Sequence, residues 1–253
     1  MSIHERTQLL VGEDALYFLQ HKHVLIAGMG GVGSFVAEAM VRAGIGKITL
    51  VDHDIVTESN INRQLIALHS TLGKSKVEVM KQRALDINPE VNIIIVDNFI
   101  KSDNIEELLN NSPFDYVLDC IDSISSKVAL VTACQQQNLP IISSMGAGGR
   151  TDPSKISITY LEKTTVCPLA RMMRQRMRKA GGSLKYPVVF SNEIPRKGTK
   201  HQAIDNDANA RPRSTNGTIA YLPSLFGLNM AGYVIEHFLK SSIKIQNRSF
   251  LQS

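Results

Sequence analysis

Three glycines, Gly28, Gly30 and Gly33, stand in a GxGxxG spacing directly after an apolar run and directly before a helical one, with Asp52 at the end of the next apolar run. That arrangement suits phosphate binding. One glycine permits the sharp turn, a second lets backbone N–H groups approach an anion, and the third lets the helix pack closely on the strand. Asp52 would then accept hydrogen bonds from ribose hydroxyls, but the fingerprint by itself leaves the ligand open between a dinucleotide and a triphosphate. The next stretch discriminates. A second acid, Asp54, follows Asp52 by two residues, and Asn60, Arg63, Gln64 and Lys76 arrive before the third apolar run. A redox dinucleotide has no use for that arginine and lysine, whereas a triphosphate needs fixed cations for charge that a helix N-terminus alone cannot neutralise. Further on, "VLDCIDS" puts Asp122 just past the end of a fourth run, where open α/β sheets bind ligands, and a carboxylate there suits magnesium when phosphates supply other oxygens.

The elements that must position these groups follow from periodicity. Short Val- and Ile-rich runs at His23 to Gly28, Lys47 to Asp52, Val91 to Asp97 and Asp115 to Asp119 read as strands, with further ones at Pro140 to Ser143 and Ile156 to Tyr160. Helical patterns lie between them at Val32 to Ala43, Lys74 to Ile87, Asn104 to Asn110 and Ser123 to Gln137. Alternation of this kind predicts an α/β fold, a Rossmann-like, doubly wound, mostly parallel sheet with helices on both faces. Past residue 160 the pattern becomes a C-terminal extension: a basic helix at Pro168 to Ala180, a polar, mobile loop over 192–216, and an apolar helix from Gly217 to Leu239. Gly227, Ala231 and Gly232 suggest that this last helix packs tightly on the sheet. No linker divides the chain, so a single domain over 1–253 is expected, with its nucleotide-binding core over about 20–160.

Composition excludes several other classes. The 253 residues are 43% hydrophobic and 20% charged, enough for a full core. The first twenty residues scatter charges among apolar positions and lack the apolar stretch of a secretory signal. Glu38 interrupts the longest weakly charged run, Val24 to Val41, which is short of a bilayer span, so a cytoplasmic protein is expected. Cys120, Cys134 and Cys167 form no CxxC pair, and the seven histidines show neither HxxxH nor HExxH spacing. No structural zinc is expected.

Taken together, GMGGVGS (Gly28 to Ser34), VDHD (Asp52, Asp54), SNINRQ (Ser59 to Gln64), GKSK (Gly73 to Lys76), INP (Ile87 to Pro89) and DCID (Asp119 to Asp122) resemble the adenylating family of ThiF, MoeB, HesA and the ubiquitin-activating enzymes. The resemblance covers roughly residues 5–160. It implies ATP and magnesium as cofactors, with Gly28, Gly30, Gly31 and Gly33 as the phosphate turn and Asp52 on the ribose. Asn60, Arg63, Gln64 and Lys76 would contact the triphosphate, and Asp122 would hold magnesium. It also implies a homodimer, in which Arg6 of one subunit reaches the ATP of the other. One departure is informative: ThiF and MoeB relatives usually carry two CxxC pairs, which are missing here. Cys167 lies near the expected crossover region, but a structural or incidental role is the expectation for it.

"NRQLIAL", the GAGG of Gly146 to Gly149 followed by Asp152-Pro153, and the PLA opening the basic helix resemble the branch of this family that dehydrates threonylcarbamoyladenosine in tRNA. Charge distribution is compatible with that. The net charge is +5, yet Arg150 to Ser214 alone carries fourteen Lys or Arg against five Asp or Glu, which leaves −4 elsewhere. Arg171, Arg174 and Arg178 fall three and four apart on the basic helix, beside Lys179, and such a row suits a phosphate backbone. The resemblance implies tRNA as the partner, with room for a sulfur-relay protein as a second. Two alternatives stay open at this point: adenylation of the C-terminus of a ubiquitin-like sulfur carrier, and a scaffold that binds ATP without turnover.

Overall fold

The computed structural model describes residues 3–196 and 217–250, without the side chains of 244–250. Seven strands form one sheet: β1 (His23–Ala27), β2 (Lys47–Val51), β3 (Asn92–Val96), β4 (Tyr116–Asp119), β5 (Ile141–Ser144), β6 (Ile156–Tyr160) and β7 (Pro187–Ser191), in the order β3-β2-β1-β4-β5-β7-β6. All neighbours run parallel except β6, which is antiparallel to β7. The chain winds outward from β1 in one direction, returns, and continues from β4 in the other. The gap between the C-terminal ends of β1 and β4 is thus the point where ligands bind in doubly wound folds.

Eight α-helices are described: α1 (Glu5–Val11), α2 (Glu13–Gln20), α3 (Gly33–Ala43), α4 (Lys76–Ile87), α5 (Ile105–Asn110), α6 (Ile124–Gln136), α7 (Pro168–Lys179) and α8 (Tyr221–Phe250). They cover both faces. Met40, Met80, Phe226 and Met230, from α3, α4 and α8, share one buried cluster with the inward residues of the sheet. Leu108, Leu130, Met173 and Met177, from α5, α6 and α7, share the other. Covering both faces explains why β1 is buried along its whole length and reads as a continuous apolar run.

Two features differ from expectation. Strand β7 is absent from the expected strands: "PVVFS" is short and lies inside the segment assigned to the extension, yet it inserts between β5 and β6 and carries the sheet onward. In α8, which begins at Tyr221 rather than Gly217, the small residues do not act alike. A methyl group on Gly227 would lie 2.4 Å from the Val32 carbonyl oxygen, so close packing on the glycine turn demands glycine there, whereas Gly232 is exposed with open space around it. Most of the polar 192–216 loop lies outside the described residues, as do Lys197, Lys200, Arg211 and Arg213 of the basic region. Among the described residues, no helix is long and apolar enough to cross a membrane.

Candidate active site

The glycine turn is built by contact rather than by composition. Gly28 adopts φ +93°, and a methyl group there would lie 2.9 Å from the Cys120 carbonyl oxygen at the end of β4. At Gly33 the methyl would sit 1.7 Å from the Gly28 carbonyl oxygen, so only glycine lets α3 begin this close to β1. Gly33 therefore packs behind the turn, while Gly28, Gly30 and Gly31 face a cavity of about 480 Å³, a size suited to a small-molecule ligand. The following segment is tied to the turn. Ser34 Oγ donates to the Gly30 carbonyl and accepts the Leu65 N–H, and Gly31 lies against the Arg63 backbone.

The cavity opens between the ends of β1 and β4 and gathers Asp52, Asp54, Asn60, Arg63, Gln64, Lys76 and Asp122. The Asp52 carboxylate accepts the Met29 N–H at 2.5 Å and the Asp54 N–H at 2.9 Å, which locks it beside the glycine turn. Lys76, the first residue of α4, is buried, and its ammonium donates to Asp54 Oδ2 at 2.7 Å. Asn60 Oδ1 accepts the Thr57 N–H, and Arg63 donates through Nη1 to the Ser59 carbonyl and to Asn62 Oδ1. Gln64 is buried, with its Oε1 lacking a hydrogen-bond partner among the described residues. A buried amide oxygen without a partner on a cavity wall is open to a hydrogen-bond donor or a cation.

Asp122 is exposed on the cavity wall and takes no hydrogen bond or ion pair among the described residues. Its oxygens therefore fit a hard cation such as magnesium, in company with phosphate oxygens. Asp52, His53 and Asp54 also bring one ligand atom each within 4.8 Å of one another, but Asp54 is already engaged by Lys76. Cys120 borders the cavity without being a ready nucleophile: burial first, and the charge of Asp119 second, push its thiol up. Cys134 is pushed up to about 12 for the same reasons.

Several wall residues lie outside the set expected from spacing. Asn98, Phe99 and Ile100 follow β3 and close one end, and Ser144 to Gly148, with Leu169, Thr218 and Pro223, close the other. The strand-end position of "DNFI" is the available signal for the first group. Arg150 holds the second group from behind. It is almost fully buried, and it donates through Nη1 to the Gly146 and Gly148 carbonyls and through Nε to the Glu193 carbonyl.

Arg6 lies on the exposed side of α1 and does not border the cavity of its own chain. On α7, Arg171, Arg178 and Lys179 are exposed. Arg174 corrects the expected row of three free guanidinium groups: it is half-buried, and its Nη1 donates to both the carbonyl and the hydroxyl of Thr164. Ala170, Met173 and Met177 turn one face of α7 into the core, and Arg174 at the edge of that face is drawn onto the neighbouring loop.

A doubly wound sheet with a glycine turn, a carboxylate fixed beside it and a buried lysine at its switch point has the arrangement of a nucleotide-binding α/β protein. A family model described as "ThiF family" matches residues 4–252, and the chain belongs to the ThiF family. It is 40% identical over 242 residues to the tRNA threonylcarbamoyladenosine dehydratase of Bacillus subtilis, covering 93% of this chain and 94% of that protein. Among solved structures it resembles the Escherichia coli enzyme of that name in complex with AMP, with a TM-score of 0.84, 34% identity and 94% of each chain covered. The same enzyme in complex with ATP gives a TM-score of 0.81 at 35% identity, covering 96% of this chain and 94% of that one.

Proposed function

We propose that the chain is an ATP-dependent dehydratase of threonylcarbamoyladenosine in tRNA, acting as one adenylating domain and as a homodimer. The observation that carries this reading is the cavity itself: a glycine turn, a fixed Asp52, Arg63 and a buried Lys76 converge where a triphosphate would lie. The similarity to the dehydratases over nearly the full chain supplies the substrate class.

In this reading the substrate's carboxylate attacks the α-phosphorus of ATP, an acyl adenylate forms, and pyrophosphate leaves. The carbamoyl oxygen or nitrogen of the same side chain then attacks the activated carbonyl, closes a ring and expels AMP, so the water removed is accounted for by cleavage of ATP. The backbone N–H groups of Gly30, Gly31 and Val32, with Arg63 and Lys76, hold the phosphates and oppose the charge that develops on the departing pyrophosphate. Asn60 and Gln64 orient the phosphate chain, and Asp52 fixes the ribose. Magnesium, held by Asp122 and the phosphates, would supply further charge neutralisation. Arg6 would act in the partner subunit's site. Arg171, Arg178 and Lys179 would meet the tRNA backbone, and Arg174 would frame that surface. No protein nucleophile is required, which agrees with burial pushing the Cys120 thiol up. Proximity of the reacting groups within the cavity is the main contribution of the protein.

The test is pyrophosphate release by the full chain with ATP, magnesium and tRNA bearing threonylcarbamoyladenosine, followed by mass analysis of the nucleoside. Product lighter by one water supports the reading. Release that instead requires a ubiquitin-like protein would replace it with carrier activation, and ATP binding without release under either condition would reduce the protein to a scaffold.

A further inference from the structure

Three residues before Asp122, a charged pair is sealed inside the fold. Asp119, Lys127 and Ser143 are each fully buried. Lys127 Nζ donates to Asp119 Oδ2 at 2.8 Å, and Ser143 Oγ donates to the same oxygen at 2.6 Å. The other oxygen, Oδ1, accepts the Ile121 N–H at 3.2 Å. Such a pair gains little stability over apolar residues of similar volume, because desolvating two charges offsets their attraction. Val117 and Ile141, two residues back on the same faces of β4 and β5, and Leu130 on α6 are buried in one apolar cluster, so apolar packing is available here.

What the pair provides is geometry. One carboxylate ties the end of β4 to β5 through Ser143, to α6 through Lys127, and to the β4–α6 turn through the Ile121 N–H. That turn supplies Cys120, Ile121, Asp122 and Ser123 to the cavity. Its Cys120 carbonyl also presses on Gly28, where no methyl group fits. A small displacement of the turn would therefore move Asp122 and the phosphate turn relative to each other.

We propose that Asp119, Lys127 and Ser143 form a positioning assembly that holds Asp122 at the distance from the glycine turn that a magnesium nucleoside triphosphate requires. The inference rests on the ATP reading of the cavity. Groups that orient a metal-binding carboxylate commonly alter metal affinity or activity by about 10- to 100-fold when removed.

The experiment uses full-length protein with Ser143→Ala and, separately, the charge-neutral double variant Asp119→Asn/Lys127→Met. Manganese is the probe, its binding in the presence of ATP followed by electron paramagnetic resonance; ATP binding without metal is followed by calorimetry. The expected result is metal half-saturation raised about tenfold and kcat lowered by about 10- to 100-fold, with metal-free ATP affinity within about threefold of wild type. On an Asp122→Ala background, Ser143→Ala is expected to add no further loss, because both changes act through one group. Additive losses, or metal affinity unchanged in a folded variant, overturn the inference. If the double variant fails to fold, Ser143→Ala decides alone. Wild type that binds neither ATP nor manganese would overturn the cavity reading as well, whereas wild-type binding matched by the variants overturns only this inference.

Discussion

The Lys76 ammonium lies 2.7 Å from Asp54 Oδ2, and the two partners occupy unequal surroundings: the lysine side chain is 6% exposed, the aspartate 51%. A buried cation is thus held at the cavity by an acid that remains largely in water. The aspartate can lose its partner cheaply and the lysine cannot. Bound phosphate would offer the lysine a second anion.

Removing each partner should therefore give opposite results. Lys76→Ala is expected to shift stability by less than about 1 kcal/mol, since the remaining carboxylate is half-solvated. It is expected to slow ATP-dependent turnover by about 100-fold, through loss of a fixed cation in the transition state. Asp54→Ala should cost about 1–3 kcal/mol in the absence of nucleotide, because it strands a buried ammonium. ATP should then raise its melting temperature by more than it raises that of wild type. Melting curves with and without ATP check the pair, and an equal ATP-induced rise in wild type and Asp54→Ala would refute it.

The glycines of the turn should separate folding from binding. Alanine at position 33 places a methyl 1.7 Å from a backbone oxygen, and overpacking of that severity costs about 1–3 kcal/mol or more. Alanine at position 30 meets nothing nearer than Gln64 Nε2 at 3.8 Å. Gly30→Ala is expected to melt like wild type while losing about tenfold or more in ATP affinity, by crowding the phosphates. Gly33→Ala is expected to lose stability first. Thermal melting and calorimetry on both variants decide it; wild-type ATP affinity in Gly30→Ala would remove the phosphates from that turn.

His23 should make stability depend on pH. Its ring bridges the Pro113 carbonyl at Nδ1 and the Thr49 hydroxyl at Nε2, an arrangement that suits the neutral imidazole. Burial, reinforced by the nearby Lys47 charge, lowers its pKa below the ordinary 6.5 despite opposing help from Pro113 and Asp115. A proton therefore binds the unfolded chain more readily than the folded one. The stabilisation is complete above pH 6.5 and declines as pH falls below it. Denaturant melts from pH 7 to pH 5 should slope downward in wild type and less steeply in His23→Gln, and identical slopes would exclude His23 as the cause.

The sequence is most legible where chemistry requires a residue type at a fixed spacing. The glycine turn, Asp52, Arg63, Lys76 and Asp122 all follow from spacing, and one cavity collects them. Strands β1, β2 and β4 can be read from their apolar runs because parallel strands covered on both faces need continuous apolar residues, and the edge strand β3, though partly exposed, still reads from its isoleucine run. Strand β7 escapes because five residues inside a basic, polar tail carry too little periodicity to be separated from a loop. Asp119 is visible in "DCID", but nothing in one dimension tells a sealed carboxylate from a solvated one. Its partners Lys127 and Ser143 lie 8 and 24 residues away and meet it only through the register of β4 with β5 and the docking of α6. Arg174 marks the reverse case, since spacing on α7 places it in a row of cations while the neighbouring Thr164 loop claims it.

That difference within α7 makes the tRNA surface testable. Arg171 and Arg178 are exposed, so reversing both charges, Arg171→Glu with Arg178→Glu, should leave melting and ATP affinity unchanged. If they neutralise backbone phosphates, tRNA affinity should fall and the slope of log affinity against log salt should flatten by about one unit for each phosphate that is no longer neutralised. Arg174→Glu should behave differently. It removes the bonds to Thr164, leaves that carbonyl and hydroxyl to find other donors, and brings a carboxylate toward oxygen acceptors, so it should lower the melting temperature as well. Filter binding across a salt series, with melting curves on the same preparations, separates the two effects. A wild-type salt slope in the Arg171/Arg178 variant would move the tRNA contact off this helix, and a stable Arg174→Glu would mean that the Thr164 contact contributes nothing to the fold.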